Sequence, residues 1–308
     1  MNKKRISIVT PCYNEEQNIN HIYAQVKEVF DSLKEYEYEH LFIDNHSTDT
    51  TVEILKEIAG RDKNVKVIVN TRNFGHIRSP FHALLQATGD ATILIVADLQ
   101  DPPALIHEFI LKWEEGYKIV IGVKNQSEES HFMFGLRKLY YNLIKKLSET
   151  ELIKNYTGFG LYDKIIIDIL KKLDDPYPYF RGLICDIGFE IYRIPYIQPA
   201  RSRGVTKNNF YTLYDMAILG ITNHSKIPLR LATMLGFLVA SVSFLVAIVY
   251  KLIFWNDFTV GLAPLVIGLF FFSAIQLFFI GIIGEYIGSI HTQVLKRPLV
   301  IEEERINF

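Results

Sequence analysis

Residues 92–103 read TILIVADLQDPP, and the organisation of the rest of the chain follows from this stretch. Its first six residues are apolar or β-branched, and the Gly-Asp pair before them and the Pro pair after them predict a buried strand. Asp98, Gln100 and Asp101 follow where that strand ends. In an open α/β sheet, ligands bind at the edge formed by the carboxyl ends of the strands.

These three polar side chains carry hard oxygen donors. Carboxylate and amide oxygens are ligands that Mg²⁺ or Mn²⁺ takes, usually with substrate phosphates completing the coordination shell. The alternative is a polar turn that caps the helix beginning near Pro103. The stretch alone therefore leaves two interpretations open: a metal site formed by Asp98, Gln100 and Asp101, or a helix cap.

Strand and helix patterns alternate through the first 123 residues. This alternation predicts βαβ units with right-handed crossovers and a mostly parallel sheet. Polar loops follow the strands at Pro11, Asp44 and Asp98, so we expect them to meet at one sheet edge, which favours the metal site over the cap. The predicted strands are Ile6–Thr10, Glu39–Asp44, Val65–Val69, Thr92–Ala97 and Lys118–Val123, and the predicted helices are Glu16–Lys34, Thr51–Ala59, His76–Ala87 and Leu105–Glu114.

Charge, cysteines and missing motifs exclude several classes of protein. The net charge of −1 gives no basic footprint for nucleic acid. The two cysteines, Cys12 and Cys185, lack metal-like spacing and suit a reducing compartment. The sequence has no GxxxxGK[ST] loop and no GxGxxG after the first strand, which argues against P-loop NTPases and dinucleotide enzymes. The apolar residues before Pro11 are too few for a signal peptide, so we expect a cytoplasmic N-terminal domain.

Two uncharged runs predict a pair of transmembrane helices. Leu231–Tyr250 has 20 residues without a charge and Phe258–Gly284 has 27, and each is long enough to cross about 30 Å of hydrocarbon. Basic residues flank the pair on its outer sides, so the positive-inside rule places both termini in the cytoplasm. We therefore expect a multi-pass protein of the cytoplasmic (inner) membrane.

These runs divide the chain into parts. An amphipathic run at 126–150 is either an ordinary surface helix or a juxtamembrane helix that faces the lipid. Interleaved basic and aromatic residues in 201–230 suit the anionic membrane lipids of the cytoplasmic leaflet. Glycines in the second run would allow packing against another helix, so a homo-oligomer stays open. The predicted parts are a cytosolic α/β domain at 1–200, a basic juxtamembrane segment at 201–230, a transmembrane hairpin at 231–290 with helices at about 231–252 and 260–284, and a cytosolic tail at 291–308.

An ordered set of motifs resembles a known family. PCYNE at 11–15, DNHSTD at 44–49, RNFG at 72–75 and ADLQDPP at 97–103 together resemble family 2 glycosyltransferases of the GT-A, Rossmann-like fold. More narrowly, the chain resembles the polyisoprenyl-phosphate glycosyltransferases, the dolichol-phosphate-mannose-synthase-like and GtrB-like group. The motifs behind this narrower resemblance are FRGL at 180–183, RxxGxTK at 201–207, SKIPLR at 225–230 and GEY at 284–286.

The resemblance implies roles for individual residues. Asp98 and Gln100 would bind Mg²⁺ or Mn²⁺ beside the donor diphosphate, with Asp101 as a further candidate. Lys124 stands where relatives often have an arginine facing the diphosphate. The implied catalytic residues are Asp98, Lys124 and Arg201. The implied nucleotide-sugar site contains Pro11, Tyr13, Asn14, Glu15, Asp44, Asn45, Ser47, Arg72, Asn73 and Asp98. The implied acceptor-phosphate site contains Arg137, Arg181, Arg201 and Lys207.

The chain departs from the family pattern at two places. Val96 stands where relatives often carry the first Asp of Asp-x-Asp, and Gly158–Leu161 stands where they often carry Asp-Phe-Arg-Leu, which removes a carboxylate. A polyprenyl phosphate has a second pKa of about 6, so it is largely an anionic nucleophile at neutral pH and needs no strong general base. We therefore expect catalysis mainly by positioning and by stabilising the leaving diphosphate.

The predicted reaction is an inverting, metal-dependent transfer of one sugar. The donor is a nucleotide diphosphate sugar and the acceptor is a polyisoprenyl phosphate, such as undecaprenyl phosphate, at the cytoplasmic face of the membrane. One alternative is a processive polysaccharide synthase, which shares the donor loops but would need a longer channel and a Gln-x-x-Arg-Trp motif. Another is a catalytically inactive membrane scaffold that binds a nucleotide sugar. The sequence does not identify the donor sugar or the nucleobase.

Overall fold

The computed structural model describes residues 3–125, 153–199, 227–253 and 262–308. One sheet contains strands β1 (Arg5–Cys12), β2 (Glu37–Asp44), β3 (Val65–Asn70), β4 (Ala91–Leu94), β5 (Ile119–Lys124), β6 (Tyr156–Asp163), β7 (Ile191–Tyr196) and β8 (Glu302–Ile306). The helices are α1 (Ile19–Ser32), α2 (Thr51–Arg61), α3 (Gly75–Gln86), α4 (Leu105–Glu114), α5 (Lys164–Leu173), α6 (Phe180–Asp186), α7 (Ile227–Ile253) and α8 (Leu262–Leu295).

The strand order is β7-β5-β6-β4-β1-β2-β3-β8. Strands β1 to β4 are mutually parallel, as predicted, and β5 is parallel to β7. Strands β6 and β8 pair antiparallel with their neighbours, so the whole sheet is mixed. The predicted elements of the first 124 residues are confirmed to within about three residues at each end. The largest difference is β4, which ends at Leu94 rather than at Ala97.

The sequence analysis placed no strand at β6. Two glycines interrupt the apolar pattern there, and the structure shows why they are needed. Gly158 has a φ of 109°, which side chains other than glycine rarely adopt, and a Cβ on Gly160 would lie 2.5 Å from the carbonyl oxygen of Val120 on β5. The departure from Asp-Phe-Arg-Leu is thus built into the backbone, because a larger residue at either position would strain β6 or separate it from β5.

Helices cover both faces of the sheet. On one face α1, α2 and α4 pack through side chains such as Ile22, Leu55 and Phe109. On the other face α3, α5 and α6 pack through side chains such as Phe81 and Ile166. Burial on both faces explains why the parallel strands read as continuous apolar runs.

The C-terminal residues join the sheet. The stretch 291–308 was predicted only as a cytosolic tail, but its strand β8 pairs antiparallel with β3. Asn307 Nδ2 donates to the carbonyl oxygens of Ala59 and Val65 at 2.7 and 2.8 Å. His82 Nε2 on α3 lies 2.5 Å from Glu302 Oε1 on β8. The chain therefore returns to the N-terminal domain after α8, so its segments before α7 and after α8 belong to one folded body.

Helices α7 and α8 carry many exposed apolar side chains, including Phe237 at 75% and Phe278 at 66% exposure. Within the described residues one helical segment, Phe271–Leu295, is long and apolar enough to cross a membrane, and Ile227–Val239 is a shorter apolar segment. The prediction of two spans is therefore not confirmed by helix length and composition. Residues 254–259, which belong to the predicted connection between the two spans, and the amphipathic run at 126–150 lie outside the described residues.

Glu302 makes the attachment of β8 depend on pH. Burial would raise the pKa of Glu302, but hydrogen bonds from Arg305 and His82 outweigh it and hold that pKa below its ordinary value. A lowered carboxyl pKa adds stability above the unfolded-state value of about 4.3, and this stability is lost as the pH falls through the folded-state pKa. We expect Glu302→Gln to lower the free energy of unfolding by about 1 kcal/mol at pH 7, and by progressively less below about pH 4.

Urea denaturation of the detergent-solubilised protein at pH 7 and at pH 3 measures how much Glu302→Gln changes the free energy of unfolding at each pH. The matched control is Glu303→Gln, on the same strand, whose side chain is exposed and which we expect to change the free energy by less than about 0.5 kcal/mol. An equal loss for Glu302→Gln at pH 7 and pH 3 would contradict the assignment.

Candidate active site

The polar loops predicted to converge do share one edge of the sheet. Cys12, the last residue of β1, is paired in register with Asp44, the last residue of β2. Strand β4 runs parallel on the other side of β1, and the Ile95 amide still donates to the Val9 carbonyl at 3.0 Å. Asp98 therefore leaves the sheet at the same edge as Asp44, as the sequence analysis expected.

The loops after β1 and β2 are joined by hydrogen bonds. The Asn14 amide donates to Ser47 Oγ at 2.8 Å, and Asn14 Oδ1 accepts from the Thr48 amide at 2.7 Å. Both carboxylate oxygens of Asp44 accept from Ser47, one from its amide at 2.8 Å and the other from its hydroxyl. Asp44 is fully buried, and this burial raises its pKa although the bonds from Ser47 oppose the rise. Three of the predicted nucleotide-binding residues thus form one unit.

A buried amide network holds the next loop. Asn45 Oδ1 accepts from the Phe74 amide at 2.9 Å and from Asn70 Nδ2 at 3.2 Å. Asn45 Nδ2 donates to Asn73 Oδ1 at 2.9 Å and to the Gly75 carbonyl at 3.2 Å. The side chain of Asn45 therefore uses both donors and both acceptor positions of its amide. This side chain links Asn73, which was predicted to bind the nucleotide sugar, to the end of β2.

The sequence analysis missed Asn70, which ends β3 and also donates to Ser79 Oγ at 3.0 Å. A usable signal was present, because Asn70 is a polar residue at a strand end, like Asp44. It also missed Tyr196, the last residue of β7, for which the sequence carries no comparable signal.

Left-handed backbone conformations recur in these loops. Asn14 has a φ of 53°, His46 of 68° and Leu99 of 59°. These residues lie in the loops after β1, β2 and β4 respectively. Non-glycine residues seldom adopt positive φ values, and such residues cluster at functional sites, where the surrounding structure compensates for the strain.

The turn after β4 separates the predicted metal ligands into two environments. Asp98 and Gln100 are half-buried, and the Gln100 amide donates to Asp98 Oδ1 at 3.1 Å. Asp101 is 3% exposed, and its Oδ1 accepts from the Tyr196 hydroxyl at 2.6 Å. Burial raises the pKa of Asp101 to about 6, against the lowering effects of Tyr196 and of the positive charge on Lys124.

The donor types in this turn fit a hard divalent cation. Asp98 and Gln100 offer carboxylate and amide oxygens at a partly open edge. Among the residues that the structure describes, no group of three or more His, Cys, Asp and Glu side chains is arranged to hold a metal ion. Mg²⁺ is usually bound by one or two carboxylates and takes its remaining ligands from water and substrate phosphates. Val96, at the position of the missing carboxylate, is 36% exposed.

The remaining predicted residues are distributed around this edge. Lys124 ends β5 and lies close enough to Asp101 to lower its pKa. The Arg72 guanidinium stacks 4.0 Å above the ring of Phe74. Arg181 donates to the carbonyl of Tyr156, the first residue of β6, at 3.5 Å. Pro11 precedes Cys12, the last residue of β1, Tyr13 follows in the next loop, and Glu15 accepts from Asn18 Nδ2 at 2.6 Å. Arg137, Arg201 and Lys207 lie outside the described residues.

The chain is similar to several known proteins. Residues 7–168 match the family model described as glycosyl transferase family 2. The uncharacterized glycosyltransferase YkcC of Bacillus subtilis is 36% identical over 301 residues, covering 97% of this chain and 93% of that protein. A bactoprenol glucosyl transferase of Shigella phage SfII is 35% identical over 301 residues, covering 96% and 97%. Glucosyl-3-phosphoglycerate synthase of Mycobacterium tuberculosis, solved with Mn²⁺, UDP and phosphoglyceric acid, is 19% identical, covers 71% of this chain and 76% of its own, and has a TM-score of 0.48.

The Asn45 network predicts a large stability effect from one amide. We expect Asn45→Ala to lower the free energy of unfolding by about 3 kcal/mol, because it leaves buried donors and acceptors without partners. Asn45→Asp should also destabilise the protein, since a carboxylate would face the oxygens of Asn73 and Gly75. The control is Asn20→Ala on the exposed face of α1, which should change the free energy by less than about 0.5 kcal/mol. Urea denaturation measures all three, and a neutral Asn45→Ala would contradict the network.

Proposed function

Because the chain belongs to glycosyl transferase family 2, we propose that it transfers one sugar from a nucleotide diphosphate sugar to a polyisoprenyl phosphate. The observation that carries this proposal is the extent of the similarity. The family domain ends at residue 168, but the similarity to a bactoprenol glucosyl transferase covers 96% of this chain and 97% of that protein. It therefore includes helices α7 and α8 as well as the sheet.

The donor would bind at the carboxyl edge of the sheet. The joined loops around Asn14, Asp44 and Ser47 offer a rigid frame for the nucleoside, and Tyr13 offers a ring for stacking against the base. Asn45 and Asn73 hold the adjoining loop in place, next to Arg72. A preorganised frame of this kind favours catalysis because little order has to be created when the substrate binds.

Asp98 and Gln100 are the favoured metal ligands. Their oxygens lie at the partly open edge, whereas Asp101 accepts hydrogen bonds from Tyr196 and from the Val96 amide. We assign Asp101 to bracing the turn that presents the other two. Asp98 and Gln100 would hold Mg²⁺ or Mn²⁺, which would neutralise charge on the leaving diphosphate. Lys124 adds a second positive charge near the same turn.

The acceptor supplies its own nucleophile. A phosphate monoester with a second pKa of about 6 is largely dianionic at pH 7, so no side chain has to remove a proton before attack. This agrees with glycine at 158, because its φ of 109° would strain any carboxylate-bearing residue placed there. A direct displacement by the acceptor phosphate oxygen would invert the configuration at the sugar carbon, and the chain would contribute positioning and electrostatic stabilisation.

The pairing of β8 with β3 supports a two-span topology. Because strands before α7 and after α8 share one sheet, the chain must cross a membrane an even number of times. One candidate span, Phe271–Leu295, lies in α8. A protein that crosses at all must then cross a second time, and α7, with its exposed apolar side chains, is the segment available in the described residues. We propose that the sheet lies on the cytoplasmic side, where nucleotide sugars are made.

Mutation of Asp98 tests the enzymatic proposal. Purified protein is incubated with Mg²⁺ or Mn²⁺, undecaprenyl phosphate and a panel of labelled nucleotide sugars that begins with UDP-glucose, and the chloroform-soluble label is counted. We expect the wild-type protein to form a labelled lipid with at least one donor. Asp98→Asn should lower kcat/KM by about 100-fold or more, and chelation of the metal should abolish transfer in the wild type.

The matched control is Asp90→Asn, a carboxylate at the opposite end of the strand that precedes Asp98. Its Oδ2 accepts from the Arg5 amide at 2.9 Å at the far edge of the sheet, so we expect near wild-type transfer. Absence of labelled lipid with every donor, from protein with a cooperative melting transition, would refute the proposed reaction and leave the scaffold alternative. Formation of a polymer would favour the synthase.

Cysteine labelling tests the topology. Single cysteines are introduced as Asn256→Cys, in the connection outside the described residues, and as Glu303→Cys, in β8. In intact spheroplasts we expect a membrane-impermeant maleimide to label the first variant and not the second, whereas both should react after lysis. The parent chain, with its native Cys12 and Cys185, sets the background. Labelling of Glu303→Cys in intact spheroplasts would contradict a cytoplasmic sheet.

A further inference from the structure

Arg78, in the first turns of α3, is a cation that none of the assigned roles uses. Its Nε is buried and has no hydrogen-bond partner, and no carboxylate forms an ion pair with its guanidinium among the residues that the structure describes. The guanidinium carbon lies 5.1 Å from the centre of the Tyr177 ring. A guanidinium has five N–H donors, and leaving a buried one without an acceptor is unfavourable, so the site favours an anion that supplies oxygen atoms.

A second arginine, Arg181, lies on helix α6, which packs against α3. The rings of Phe81 on α3 and Phe180 on α6 are 6.2 Å apart, edge to face, which brings the two helices together. Arg78 lies one turn before Phe81, and Arg181 follows Phe180. The Arg181 guanidinium is 5.5 Å from the centre of the Tyr179 ring. Two arginines, each over a tyrosine ring, therefore flank the segment between α5 and α6.

This arginine pair lies beside the candidate active site. Arg181 donates to the Tyr156 carbonyl at 3.5 Å, and Tyr156 is paired in register with Val123, the neighbour of Lys124. Helix α3 itself begins at Gly75, whose carbonyl accepts from Asn45. Arg78 and Arg181 are thus attached to the same sheet edge that presents the donor loops.

The segment carrying Tyr177 is also tied to the end of α8. Gln293 Nε2 donates to Asp175 Oδ1 at 2.8 Å, and the same oxygen accepts from the Tyr177 amide at 2.9 Å. Lys296 lies 3.4 Å from Asp174. Because Gln293 belongs to the candidate span Phe271–Leu295, the tyrosine under Arg78 lies where that helix meets the sheet domain.

We propose that Arg78, together with Arg181, binds the phosphate group of the lipid acceptor. Arginine binds phosphate oxygens through two parallel N–H donors, and stacking on an aromatic ring holds the guanidinium plane in place. The donor diphosphate offers phosphate oxygens too. The segment of Tyr177 is joined to α8 through Asp175, however, and this favours the phosphate of a lipid that enters from the membrane. The inference rests on the proposed function for the identity of that lipid, and Arg78 is a binding residue rather than one that transfers protons.

Binding measured without turnover tests this inference independently of the reaction. The probe is farnesyl phosphate in detergent micelles, and the readout is the rise in melting temperature as its concentration is increased, from which a Kd is fitted. Farnesol, which lacks the phosphate, and UDP serve as ligand controls. We expect Arg78→Gln to raise the Kd for farnesyl phosphate by about 10-fold and to leave that for UDP unchanged. Arg78→Lys, which keeps the charge but not the paired donors, should give a smaller rise.

The matched control is Arg61→Gln on α2. Arg61 also faces a tyrosine, with its guanidinium carbon 5.8 Å from the centre of the Tyr23 ring, but it is exposed and pairs with Glu57. We expect no change in either Kd for this variant. Where a labelled lipid product is obtained, Arg78→Gln should raise KM for undecaprenyl phosphate about 10-fold and leave KM for the nucleotide sugar unchanged.

Four results would overturn the inference. A raised Kd for UDP with unchanged binding of farnesyl phosphate would assign Arg78 to the donor. Unchanged Kd values for farnesyl phosphate and UDP would show that Arg78 binds neither phosphate group. An equal rise in the Kd for farnesol would show that Arg78 has a structural role rather than an electrostatic one. If Arg78→Gln does not fold, Arg78→Lys alone decides, because wild-type binding of farnesyl phosphate by that variant would refute paired N–H contacts. Failure of the whole donor panel would refute the proposed function but leave these binding results valid.

Discussion

The parallel pairing of β1 with β2 and β4 is the constraint on which the site depends. In a parallel pair the backbone hydrogen bonds set a register in which strand ends meet at one edge. Cys12 therefore lies opposite Asp44, and the turn carrying Asp98 leaves at the same edge although it is distant in sequence. The helices on both faces bury the strands and disfavour a slip of this register, because a shift by one residue would move each side chain into the core on the opposite face, where the packing does not fit it.

Buried polar contacts hold the loops at this shared edge in fixed positions. Asn45 connects the loop after β2 to the loop after β3, and Ser47 connects Asp44 to the loop after β1. Asp101, held by Tyr196 from β7, braces the turn after β4. Because a buried polar group without a partner is costly, each contact strongly disfavours alternative loop conformations. The left-handed residues in the same loops are compatible with this, since the network can compensate for their strain.

Strand β8 connects the chain that follows helix α8 to the sheet formed by the residues before α7. By pairing with β3, it returns the chain to the sheet after α8, and the contacts between Gln293 and Asp175 attach the end of that helix near α6. Helix α8 and the sheet edge that carries the polar loops are thereby held in one geometry. For an enzyme that joins a water-soluble donor to a lipid phosphate, this fixes the distance over which the acceptor has to reach.

The amino-acid sequence by itself determined the α/β fold, the positions of the first five strands along the chain and the three polar loops, because apolar periodicity and strand-end polar residues are local signals. It also determined the family, because ordered motifs persist along the chain. Only the tertiary structure decided what depends on distant contacts. Strand β6 was not predicted because its glycines, which allow close approach to β5, interrupt the apolar pattern. Strand β8 was not predicted because a short charged strand has no apolar pattern. Arg78 was not identified because its significance depends on Tyr177, which is distant in sequence. The motif resemblance placed Asp98 ahead of Asp101 as a metal ligand, but the physical reason lies in the tertiary structure. Tyr196, contributed by another strand, makes Asp101 a buried brace, whereas Asp98 is half-buried at the partly open edge.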